Sequence, residues 1–113
     1  MPAIDAAAAI AQLGNERIFH MMIKRFAPQV EQLMGKIEAA YSDGGEACDF
    51  AMLRAEAHSL KGSSKYMAAN RLAAAAEALQ VASEPDGDRG DVDAQVGELR
   101  EAAAEVYAFL AAA

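Results

Sequence analysis

Tryptophan is absent from these 113 residues, cysteine occurs once, and 10 lysines and arginines stand against 17 aspartates and glutamates. Each shortage excludes something. A lone Cys48 can close no internal disulfide, so a reducing compartment suits the chain, and a small apolar filler near a helix start is the expected role of that thiol. His20, His58 and Cys48 share no ligand spacing, which leaves no metal site to expect. A formal net charge of -7 argues against nucleic acid and anionic membranes as general partners, because both repel an acidic surface that lacks a strong basic patch. No stretch approaches a membrane span without charge. Met1-Pro2-Ala3-Ile4-Asp5 has no cationic segment leading into a strong apolar run, so no secretion signal is expected. A soluble, cytoplasmic protein is the expectation. Runs of alternating β-branched residues are missing as well, which removes the signal for strands.

What is present is helical. Hydrophobic residues make up 54% of the chain, much of it alanine, and aromatics only 6%, a composition that favours closely packed helices over a bulky core. A first short helix is predicted over 3–13, ending at Gly14-Asn15. A second covers about 16–26, with Ile18, Phe19, Met22, Ile23 and Phe26 on its apolar side. Pro28 then either opens a new helix or kinks a continuous one. Val30, Leu33, Met34, Ile37 and Tyr41 keep helical period up to a turn at Ser42-Asp43-Gly44-Gly45. Asp49 can cap the next helix, whose apolar line is Phe50, Leu53, Ala57, Leu60, Ser64 and Met67.

From there propensity alone permits one helix over 50–83. A break near Ala68-Ala69-Asn70, with Asn70 capping a helix that carries Leu72, Ala76, Leu79 and Ala82, packs better in a compact domain. Residues 84–90 form a loop. Asp91 caps a last helix striped by Val92, Val96, Leu99, Ala103, Val106 and Leu110. The expected fold is all-α: one domain over 1–113, an antiparallel four-helix bundle with one or two short N-terminal helices covering one end.

The chemistry concentrates in His58-Ser59-Leu60-Lys61-Gly62-Ser63-Ser64. Arg54, His58, Lys61 and Lys65 fall within an arc of about 60° on one helix face. Leu53, Leu60 and Met67 point to the core instead. Imidazole is substantially neutral near pH 7 and nucleophilic at nitrogen, so it can take a phosphoryl group and release it. Cations near the transferring group stabilise the charge on its equatorial oxygens. Lys61 is placed for that, while Arg54 and Lys65 suit steering of a partner. Gly62 costs about 1 kcal/mol relative to alanine in mid-helix. It serves either the approach of another backbone or close helix packing within the bundle.

The segment resembles the motif of histidine-containing phosphotransfer (HPt) domains. Gln80, 22 residues after His58, matches the family's glutamine on the neighbouring helix, which orients the active imidazole. Arg71-Leu72 fits the usual start of that helix. The family often has glycine ten residues after the histidine, where this chain has Ala68; if the left-handed conformation is kept, Asn70 is the cheapest nearby residue to adopt it. Ser63 and Ser64 match small packing positions, and no base partner for them is evident.

The resemblance implies a relay protein that carries a phosphoryl group on His58 between receiver-domain aspartates, from a hybrid histidine kinase to a response regulator. Lys61 and Gln80 would assist the chemistry, and Gly62, Lys65 and Arg54 would meet the receiver. Mg²⁺ would belong to the receiver, with no cofactor on this chain. No glycine-rich phosphate loop is present, so no ATP-dependent autokinase activity is expected. A monomer is expected. The alternative is a catalytically silent bundle of the same fold that docks receivers without transfer. Ile4, Leu13, Met21 and Met22 are the apolar candidates for partner contact, and Lys61 is expected to be exposed.

Overall fold

A computed structural model describes residues 3–42, 48–87 and 89–112. The expected turn at Asp43-Gly44-Gly45 lies outside the described residues. Among those described there are five helices and no strand: α1 (Ala6–Leu13), α2 (Glu16–Ser42), α3 (Phe50–Tyr66), α4 (Asn70–Ala82) and α5 (Arg89–Ala112). Helices α2 to α5 form the antiparallel bundle and α1 lies across α2 and α3 at one end.

Local chemistry sets most helix ends. Asp5 Oδ1 accepts from the Ala8 amide at 3.1 Å and starts α1, three residues later than the spacing predicts. Gly14 closes α1 in the left-handed region at φ 94°, where the lack of a Cβ removes the steric penalty. Asn15 Oδ1 accepts from the Ile18 amide at 2.8 Å, and Asp49 Oδ1 from the Met52 amide at 3.0 Å. These bonds satisfy orphan donors in the first turns of α2 and α3.

Pro28 neither ends nor restarts a helix, for α2 runs through it over 27 residues. The ring removes the N–H that would serve the Lys24 carbonyl, yet burial on both sides of it, at Phe26 and Val30, holds the helix to the core. The expected cap at Asp91 is shifted: α5 begins at Arg89, which leaves Asp91 in the first turn.

The break after α3 falls where expected but by another device. Ala68, not Asn70, takes the left-handed conformation, at φ 54°. Asn70 is the first residue of α4, and Ala69 precedes it without a side-chain cap. The turn compensates through its backbone. The Ala69 amide donates to the Ser64 carbonyl at 2.8 Å, and the Ala68 carbonyl accepts from the Asp5 amide at 3.0 Å.

Alanine lets α4 nestle between α3 and α5, with Ala73, Ala75, Ala76 and Ala82 buried beside Leu72 and Leu79. The predicted stripe of α5 is buried from Val92 to Val106. Ile4, a candidate for partner contact, is instead 1% exposed, because the segment before α1 folds onto the bundle. Arg71 ties α4 to α5 by bridging Glu98 at 2.9 Å, Glu101 at 3.3 Å and Glu105. The hydrogen bond from Arg71 holds the Glu98 carboxyl below its ordinary value, against the opposing cost of desolvation. Arg100 bridges Glu38 at 2.9 Å and joins α5 to α2.

Candidate functional site

Two side-chain contacts between α3 and α4 fix how those helices align. Arg54 Nη1 donates to the Ser83 carbonyl at 2.6 Å, and Lys61 Nζ lies 3.8 Å from Glu77 Oε1. In an antiparallel pair these contacts set a single register, and it places Gln80 level with His58.

His58 is exposed on the outer face of α3, because Leu53, Ala57, Leu60 and Ser64 define the buried face. Gln80 is half-buried, and its Oε1 is sealed from solvent without a hydrogen-bond partner. An unpaired buried acceptor costs about 1–3 kcal/mol. A donor that reached it would recover that cost, and an imidazole N–H is of the right chemistry.

The basic arc divides into two kinds of cation. Lys65 is exposed. Arg54 is half-buried and committed to the C-terminal carbonyl of α4, where the helix leaves acceptors without partners and a positive charge is favoured. Lys61 differs from expectation, since its side chain is only 21% exposed and leans towards Glu77.

Gly62 is exposed on α3. A Cβ built there would meet nothing within 4 Å, so packing inside the bundle does not require glycine. The residue opens instead onto a cleft of about 700 Å³ between α2 and α3, lined by Met22, Arg25, Gln29, Ser63 and Tyr66 among others. Ser64 is fully buried and its Oγ has no partner, consistent with a packing position. His20 sits apart, 3.4 Å from Glu16 on the same helix.

Sequence reasoning did not find Glu77. Its only mark in the sequence is its place one turn before Gln80, on the same face of α4. Among the described residues no three His, Cys, Asp or Glu side chains gather where they could hold a metal ion, and no helix is long and apolar enough to cross a membrane.

An antiparallel helical bundle that presents an exposed imidazole, His58, one helical turn from Lys61 is suited to phosphotransfer. Residues 21–109 match the family model described as Hpt domain, and the chain belongs to that family. Membership implies phosphotransfer in two-component signalling, in which Hpt domains act with receiver domains. No curated protein and no solved structure matches the chain.

Proposed function

We propose that this protein is the intermediate of a multistep phosphorelay, taking a phosphoryl group from the receiver of a hybrid histidine kinase and passing it to the receiver of a response regulator. The observation that carries this reading is the exposure of His58 beside open space over Gly62. A nucleophile that must meet an aspartyl phosphate on another protein needs both.

In the forward step a lone pair on an imidazole nitrogen of His58 forms the N–P bond. The acyl-phosphate P–O bond breaks and its electron pair returns to the receiver's aspartate as carboxylate. The other ring nitrogen keeps its proton, so no base is needed. Gln80 would accept that N–H through the oxygen that is otherwise unpaired, which leaves the attacking nitrogen facing outward. Lys61 would stabilise charge on the transferring group. Lys65 would steer the receiver, and Arg54 would add to the same field while holding α4. The acyl phosphate and its Mg²⁺ belong to the receiver.

The test mixes a receiver carrying radiolabelled phosphoryl with the wild-type chain and with His58→Gln. Label should reach the wild type alone. Equal labelling of the variant ends the relay reading, and binding without label favours the silent docking module.

A further inference from the structure

Lys61 is already held before any phosphoryl group arrives, and the residue holding it lies outside the motif. We propose that Glu77 is a positioning residue that restrains Lys61 and so limits how readily His58 takes up a phosphoryl group and how strongly it then retains it. This inference rests on the reading of His58 given above.

The geometry has four corners. His58 and Lys61 are one turn apart on α3, and Gln80 and Glu77 are one turn apart on α4. The helix register sets His58 level with Gln80, and Lys61 stands 3.8 Å from Glu77. That separation exceeds a hydrogen bond, so the contact is a loose ion pair. Glu77 is 54% exposed, which lets water compete with it. The lysine ammonium is a compact charge on a flexible stem and can change partners at little cost.

A phosphoryl group on His58 would therefore draw Lys61 away from Glu77. Two effects of the carboxylate oppose this. It attracts the same ammonium, and it places negative charge on the patch where the phosphoryl oxygens sit. Both weaken the phosphorylated state. A relay intermediate benefits, because a phosphohistidine held too firmly would not be passed on.

The probe is phosphoramidate, with ³¹P NMR following phosphorylation of His58. The imidazole nitrogen forms the N–P bond, the donor P–N bond breaks, and the departing nitrogen keeps the bonding pair and leaves as ammonia. Glu77→Gln should take up phosphorus about threefold to tenfold faster than wild type at low salt, with the gain shrinking as salt screens the pair. Glu77→Ala should move in the same direction. In a Lys61→Ala background the gain should shrink to the part due to direct repulsion by the carboxylate, because the rest of the effect of Glu77 runs through the lysine. An unchanged or slower rate in both Glu77 variants overturns the proposal, as does an equal gain without Lys61. Absence of phosphorus on wild-type His58 would instead count against the reading of the site itself.

Discussion

The carbonyl oxygen of Ala68 accepts the amide hydrogen of Asp5 at 3.0 Å, so the residue with the least comfortable backbone also anchors the start of α1. A non-glycine residue in the left-handed region is strained by about 1–2 kcal/mol. The turn keeps it because one bond from its carbonyl closes the covered end of the bundle.

Ala68→Gly should therefore leave stability unchanged or raise it by up to about 1 kcal/mol, since relief of strain outweighs the loss of one methyl group. Ala68→Val should cost about 2 kcal/mol or more, as a β-branched residue tolerates positive φ poorly. Urea unfolding checks both. A marked loss in the glycine variant would show that the turn depends on the alanine methyl.

Gly62 allows stability and transfer to be separated. An added methyl meets nothing, so Gly62→Ala should stabilise α3 by about 0.5–1 kcal/mol. Transfer from a receiver should slow, because the methyl intrudes on the approaching backbone. Phosphorylation by phosphoramidate should be little changed. Equal rates with both donors would remove Gly62 from the docking surface.

Lys61→Ala should slow transfer about tenfold to a hundredfold through loss of charge stabilisation. Stability should fall by no more than about 1 kcal/mol, because the ion pair with Glu77 is half-exposed. Single-turnover kinetics and thermal unfolding measure the two effects. A loss of folding larger than the loss of transfer would make the lysine structural.

The bond formed on His58 has its own signature. A phosphoramidate is labile to acid and stable to base, whereas phosphoserine survives acid. Labelled protein should lose its phosphorus in acid. Retention there would point to a serine near the site, Ser59 or Ser63, since Ser64 is fully buried.

The Arg71 bridge predicts how stability responds to pH. Glu98 is held below the ordinary carboxylate value of 4.5, first by its hydrogen bond from Arg71. Its folded value is depressed, so its contribution is full above the unfolded value and disappears as pH falls through the folded one. Wild type should therefore be more stable than Arg71→Gln near neutrality, and the gap should close below pH about 4.5. Melting temperatures measured across that range decide it.

Much of this was legible in the sequence, for identifiable reasons. The stripes of α3, α4 and α5 repeat at helical period, and Leu53, Leu79 and Val96 are buried as that period requires. Asp49 and Gly14 act through bonds within a few residues, which local sequence encodes. The errors arose where distant segments decide. Propensity favoured Asn70 for the left-handed turn, but Ala68 takes it with its carbonyl tied to Asp5. Lys61 looked exposed until α4 brought Glu77 alongside. The contact of Arg54 with the end of α4 could not be read locally either, because its acceptor lies 29 residues away. Pro28 could not be read either way, since burial of its neighbours determines whether α2 continues.

The connector between α3 and α4, residues 67–69, also acts as a spacer. Burial of Met67, Ala68 and Ala69 and the positive φ at position 68 limit which side chains it accepts, and its length is fixed as well. One inserted residue would turn α4 by about 100° and slide it by about 1.5 Å. Gln80 would swing out of line with the imidazole while Glu77 and Ser83 parted from their cations. The same turn would carry Leu72 and Leu79 out of the core, so the altered chain would lose stability as well as present a histidine with nothing aligned behind it.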